Sequence, residues 1–154
     1  MIEFYQVNEG NRQEAIRIRY DMLKVVNHLP DDYIFTDEFC QETSRFFQSE
    51  TQTTVLAYEG EKVVGCGTIC YLNIMPTFDH PTGKRAHIMN IYTDKEHRRQ
   101  GIAMFIMEQL ILEAKQRGVT EISLDASAQG RFLYQKLGFV NSSEGMVLIL
   151  GKDS

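Results

Sequence analysis

Apolar residues recur along this chain with two different periods, and each change of period marks a boundary between predicted elements. Residues 2–7 (IEFYQV) alternate and predict a short opening strand. Residues 11–26 carry Ala15, Ile16, Ile18, Met22, Leu23 and Val26 at helical spacing, with Asn8 or Asn11 available as a cap and Pro30 just past the end. A second helix is predicted over residues 37–48, after a linking loop, NHLPDDYIFTD, rich in turn formers and aromatics. Residues 53–58 and 63–73 read as strands joined by the turn Glu59-Gly60-Glu61-Lys62, a hairpin. Residues 75–84, with Pro76, Pro81 and Gly83, form a loop, and residues 85–93 a β-rich run.

The clearest segment is HRRQGIAMFIMEQLILEAKQRG, residues 97–118, predicted as a helix. Ile102, Phe105, Ile106, Leu110 and Ala114 share one face, and Met107 and Ile111 widen it, so the helix must pack broadly, most simply on a sheet. Lys115 and Arg117 suit its negative end and Gly118 supplies the stop. Residues 121–125 follow as a strand, and residues 128–137 as a short helix closed by Gly138, with Phe139 where a hydrophobic cap contact belongs. Residues 146–150 read as a final strand. The order β-α-α-β-β-β-α-β-α-β implies an α/β fold in the α+β sense, a mixed sheet with helices on both faces. At 154 residues the chain is expected to form one domain over residues 1–154, with no internal repeat or linker.

Composition narrows the function classes. Hydrophobic residues at 43% and charged residues at 24% exclude wholesale disorder. A formal net charge of −5 argues against a general nucleic-acid binder. No apolar run approaches the roughly 20 residues that span a bilayer, and the N-terminus lacks the pattern of a secretory signal, so a cytoplasmic protein with no membrane partner is expected. Cys40, Cys66 and Cys70 are an odd set without an export signal, which suits a reducing compartment. Four strand residues at roughly 3.3 Å each separate Cys66 from Cys70, too far for one disulfide or one metal ion. No metal-ligand spacing is found, and His28, His80 and His97 read as loop or helix-edge residues.

The junction IYTDKEHRRQGIA holds the sharpest chemistry. A glycine opening a helix lets a ligand approach bare backbone, and the unpaired first-turn N–H groups favour an anion there. Arg98 and Arg99 add positive charge at the rim. The pattern is not a P-loop, because the Gly83-Lys84 pair has Phe78 where the first glycine would stand and Arg85 where Ser or Thr should, nor G-x-G-x-x-G, because only Gly101 is present and Ala103 takes the next small position. On spacing alone, a solvated basic helix start with an incidental glycine is the competing interpretation.

Arg98-x-x-Gly101-x-Ala103 resembles the Arg/Gln-x-x-Gly-x-Gly/Ala signature of the GNAT superfamily of acyl-CoA-dependent N-acetyltransferases, and FLYQKLGF, residues 132–139, resembles a second family signature. Residues 84–150 carry the likeness, whereas the first 80 residues agree only in the order of elements. The resemblance implies a GNAT-like fold with a splayed central strand pair and acetyl-CoA as cosubstrate. It places the CoA pyrophosphate on Arg98, Arg99, Gln100, Gly101, Ile102, Ala103 and Met104. It lays the pantetheine arm beside Ile91, Tyr92 and Thr93 like an added strand, with an N–H near Ile91 polarising the thioester carbonyl and a bulge at Asn90.

The resemblance further implies Tyr134 as the general acid that protonates the departing thiolate; by periodicity alone it is a tyrosine packed for its ring. Ser127 is a helix cap, a hydroxyl beside the pantetheine, or both. His87 stands where relatives place a glutamate base; it fills that role, or is a plain strand histidine with water carrying the proton. The expected reaction is direct attack of a primary amine on acetyl-CoA, without a covalent enzyme intermediate or a metal. The acceptor, a small molecule or a peptide amine, is expected near Tyr33, Phe35 and residues 75–80, and a homodimer is compatible with the family. The alternatives are a noncatalytic acyl-CoA sensor and a nucleotide-phosphate binder.

Overall fold

The computed structural model describes residues 1–142 and 144–151. Its elements run β1 (Ile2–Gln6), α1 (Arg12–Val26), α2 (Asp37–Gln48), β2 (Gln52–Glu59), β3 (Lys62–Asn73), β4 (Lys84–Thr93), α3 (Ile102–Gln116), β5 (Glu121–Leu124) and α4 (Arg131–Lys136). The sheet order is β1-β2-β3-β4-β5. The first four strands pair antiparallel, and β5 lies parallel to β4 after the α3 crossover. The mixed sheet expected from the pattern is therefore present.

Each face of the sheet has its own core. Val55, Ala57, Ile69, Ala86 and Ile88 pack with Ile102, Ile106, Met107, Leu110 and Ala114 of α3. Leu56 and Cys66 pack on the other side with Ala15, Ile16 and Ile18 of α1 and Phe47 of α2. Close approach of α3 depends on Gly67, where a Cβ would lie 2.5 Å from Ile106 Cγ2 and 2.6 Å from Ile91 Cδ1. Helix α2 begins where Thr36 caps it, its hydroxyl accepting from the Phe39 N–H at 3.1 Å. Helix α3 ends as read: Gly118 sits at φ +80°, and Gly118 and Val119 donate to the carbonyls of Lys115 and Ala114.

Most element ends fall within a residue or so of the sequence reading, and three features depart further. The helix predicted from residue 97 starts at Ile102; a 3-10 turn at Lys95–His97 and a non-helical Arg98–Gly101 stretch precede it. Two left-handed residues, Arg99 at φ +66° and Gly101 at φ +79°, stop helical hydrogen bonding from extending backwards. The helix predicted over 128–137 begins only at Arg131, because Ser127 first closes a turn, accepting from Gly130 N at 3.1 Å. The final strand predicted over 146–150 is not formed. Residues 146–150 have no ladder partner among the described residues, and their five apolar side chains are 69–96% exposed. Strand propensity supplies side chains that suit a sheet, but a strand also needs a neighbouring edge to complete its hydrogen bonds.

Candidate active site

Strands β4 and β5 pair only from Arg85↔Glu121 to Ile88↔Leu124. Beyond that point β5 ends while β4 continues to Thr93, still held on its other side through Cys66↔Tyr92 and Gly65↔Thr93. Ile91, Tyr92 and Thr93 thus border a cleft where the β5 side of the ladder has run out. The carbonyl of Thr93 accepts from Arg98 Nε at 3.2 Å, which folds that arginine back over the strand end.

A bulge shapes the same stretch. The register passes from Thr68↔Met89 to Cys66↔Tyr92, so Asn90 and Ile91 together oppose Gly67. Asn90 has φ +64°, an allowed but uncommon state for asparagine. Its side chain fixes it: Oδ1 accepts from Arg19 Nη1 at 3.1 Å and Nδ2 donates to Thr68 Oγ1 at 3.1 Å. The Cys66 thiol donates to the Asn90 carbonyl at 3.2 Å, and burial pushes that thiol up to about 12. Arg19 and Thr68 were not singled out from sequence, and Cys66 only as a thiol too far from Cys70 to pair with it. Arg19 does leave a trace there, since it is the cation that interrupts the apolar stripe of α1. Among the described residues no carboxylate lies within salt-bridge reach of it, and burial pulls its guanidinium below the ordinary value.

Gly101 is the N-cap of α3 and offers no side chain to the first-turn amides of Ile102, Ala103 and Met104. A Cβ built on Gly101 meets nothing within 4 Å, so the space above those amides is open. The approach to this corner is anchored by His97, which the sequence reading had as an edge residue. The structure buries it, with Nε2 3.1 Å from Glu59 Oε1 and Nδ1 3.3 Å from Asp94 Oδ2. The hydrogen bond to Glu59 holds the imidazole above its ordinary range and Glu59 below its own, against a smaller opposing effect of burial.

Tyr134 follows the cleft on α4. Its ring packs edge-on against Phe139, with centroids 6.1 Å apart. The same contact closes the helix: Gly138 at φ +98° lets Phe139 N donate to the Tyr134 carbonyl at 3.0 Å. The sequence Tyr-x-x-x-Gly-Phe is thus a helix stop that also braces the tyrosine. Burial raises the phenol above its usual value, and among the described residues its hydroxyl makes no hydrogen bond. His87 pairs across the ladder with Ser123, Nδ1 to Oγ at 2.8 Å, and its Nε2 lies 3.8 Å from Asp125 Oδ2. Tyr33 and Phe35 join Tyr20 and Phe39 in an aromatic cluster with successive centroids 5.0–6.1 Å apart. Met75 and Phe78, in the loop after β3, are exposed. The three cysteines are free, and no group of three or more metal-ligating side chains is found among the described residues. No described helix is long and apolar enough to cross a membrane.

The architecture has counterparts among solved structures. A predicted acetyltransferase from Clostridium acetobutylicum, solved with acetyl-CoA, is 25% identical with a TM-score of 0.84, over 97% of this chain and 96% of that one. An aminoglycoside acetyltransferase from an uncultured soil metagenome, 14% identical with a TM-score of 0.75 over 99% of this chain and 97% of that one, shares the fold. Among curated proteins, N-acetyltransferase 8 of Homo sapiens is 31% identical over 61% of this chain and 41% of its own length. Glucosamine 6-phosphate N-acetyltransferase 1 of Dictyostelium discoideum is 29% identical over 67% of this chain and 65% of its own length. The matches thus span about two fifths to two thirds of these curated relatives. The model described as "Acetyltransferase (GNAT) family" matches residues 22–139, most of the chain and every element around the cleft, and the chain belongs to that family.

Proposed function

We propose that the protein transfers an acetyl group from acetyl-CoA to a primary amine by direct attack. The observation that carries this reading is the coincidence of three features at one corner. The β4–β5 ladder ends at Ile88↔Leu124, β4 bulges just beyond at Asn90, and α3 opens opposite with an uncapped glycine. Acetyl-CoA supplies an acetyl group activated as a thioester. The open space over Gly101 fits its diphosphate, with first-turn amides from Ile102 to Met104 donating and Arg98, Arg99 and Gln100 at the rim. Ile91, Tyr92 and Thr93 present the edge for the pantetheine arm, with Ser127 at the far wall.

The chain's own groups account for the proton movements. As the amine nitrogen bonds to the acetyl carbon, the C–S bond breaks, the nitrogen loses a proton and the sulfur gains one. Tyr134, held protonated by burial, donates from its hydroxyl. His87, oriented by Ser123, accepts the amine proton. Cys66 stays a neutral thiol at neutral pH and takes no nucleophilic part. The acceptor enters between the aromatic cluster at Tyr33 and Phe35 and the loop holding Met75 and Phe78. The relative named for glucosamine 6-phosphate supports a small amine as acceptor. Incubation with acetyl-CoA and a panel of amines, read as free thiol, tests the reading. Thiol release that depends on one amine class is expected; tight CoA binding with no release on any amine would make the protein a sensor instead.

A further inference from the structure

We infer, resting on the acetyl-transfer reading, that Arg19 determines acceptor specificity by seating an anionic group, a carboxylate or a phosphate, carried by the amine substrate. Arg19 is half-buried on α1, and its partners are neutral: Nη1 donates to Asn90 Oδ1 at 3.1 Å and to Met22 Sδ at 3.8 Å. Nε and Nη2, the adjacent pair of N–H groups on the other edge of the fork, make no hydrogen bond among the described residues. Neither is among the polar atoms sealed from solvent without a partner. The chain has 21 acidic residues against 16 Lys and Arg. Among the described residues, none of those acids is set against this guanidinium. A cation drawn partly out of water is normally paired with an anion, because burial penalises its charged form. Here the missing anion is left for a ligand to bring.

The β3–β4 ladder shows what lies in front of that edge. Thr68 stands opposite Met89 and Cys70 opposite His87, and directly opposed residues share a face of the sheet. Cys66 packs with α1, so this is the face on which α1 lies. Cys66 and Cys70 both bear on the ionisation of Arg19, which places its guanidinium along β3 between them. Strand β4 is interior to the sheet, yet Met89 is 44% exposed. The core beneath α1 and α2 takes only Tyr92 from β4. The stretch of β4 that carries His87 and Met89 is thus an uncovered floor, with the proposed base at one end and Arg19 on the α1 wall. Tyr20, next along the chain, belongs to the aromatic cluster at the acceptor's entrance. A guanidinium edge matches a carboxylate or a phosphate through two parallel hydrogen bonds, and Arg19 can make them without releasing Asn90.

Steady-state thiol release on matched amines that differ at one group tests this: a carboxylate against its carboxamide, and a phosphate monoester against its free hydroxyl. In the wild type, the anionic member of a pair is expected to show a kcat/KM about 10- to 100-fold above its neutral twin. The pair that shows it tells carboxylate from phosphate. Arg19→Gln should bring that ratio close to unity through KM, whereas loss of a merely structural clamp slows both members alike and keeps the ratio. Should that variant fail to fold, Met22→Glu replaces it. It leaves Arg19 on Asn90, supplies a resident carboxylate where Met22 Sδ now lies, and should erase the preference too. Wild-type turnover that ignores or disfavours the anion in both pairs overturns the inference and leaves the acetyl-transfer reading standing. So does a ratio that survives in folded Arg19→Gln, or in Met22→Glu where it stands in. No thiol release from any amine removes the acetyl-transfer reading and this inference with it.

Discussion

Replacing Gly101 by valine separates what this residue does for the fold from what it does for the ligand. In the free protein a side chain there meets nothing within 4 Å, so the substitution makes no clash. Its cost to the fold is the left-handed backbone at φ +79°, about 1–2 kcal/mol for a residue with a Cβ. At about 2–4 °C per kcal/mol for a chain of this length, the melting temperature should fall by roughly 2–8 °C. The cost to the ligand is separate, since the isopropyl group fills the space above the amides of Ile102 and Ala103. Each hydrogen bond to a charged group is worth about 1.5–3 kcal/mol, so losing one weakens binding by about 10- to 150-fold. Calorimetry with acetyl-CoA and a thermal melt measure the two effects on one sample. Gly101→Ala is the control, since it shares much of the backbone cost and adds only a methyl. Equal affinities for wild type and the folded valine variant would refute the placement of the diphosphate.

Four further outcomes follow from the site. Tyr134→Phe should lower kcat by about 10²- to 10⁴-fold with acetyl-CoA affinity unchanged; wild-type turnover removes the acid role. His87→Ala should lower kcat over a similar range of about 10²–10⁴ in steady-state assays, and an unaltered kcat assigns the proton to water. His97 has its folded pKa raised, so its contribution is complete below the unfolded value of about 6.5 and fades as pH climbs through the folded one. Melting temperature and CoA affinity should therefore decline above that point, and His97→Gln should flatten the trend in a pH series of melts. Gly67→Ala drives a methyl into Ile106 and Ile91, costing about 1–3 kcal/mol by chemical denaturation; an unchanged midpoint would mean α3 has room to move.

Local chemistry explains what was legible beforehand. Helix α2 lies at the limits read, residues 37–48, and its start is marked locally by Thr36 and an acidic first turn. Gly101, Gly118 and Gly138 were readable for the same reason, since positive φ at a helix end is a local demand. The clamp on Asn90 was not, because Arg19 and Asn90 stand 71 positions apart and only folding joins them. His97 does stand at the edge of a 3-10 turn, but its burial was not legible, because the Glu59 it meets is 38 positions away. The tail failed differently. Residues 146–150 have strand composition, but composition says nothing about which edge is available.

The Arg19–Asn90 contact joins the two substrate territories. One guanidinium ties the first helix to the kink in β4 at Asn90, so on the proposed reading it links the amine's side of the sheet to the thioester channel. If the proposed placement of both substrates holds, whichever molecule arrives first stiffens a support that both require, and the second arrives at a readier seat. Thermodynamic reciprocity then makes the help mutual and equal in size.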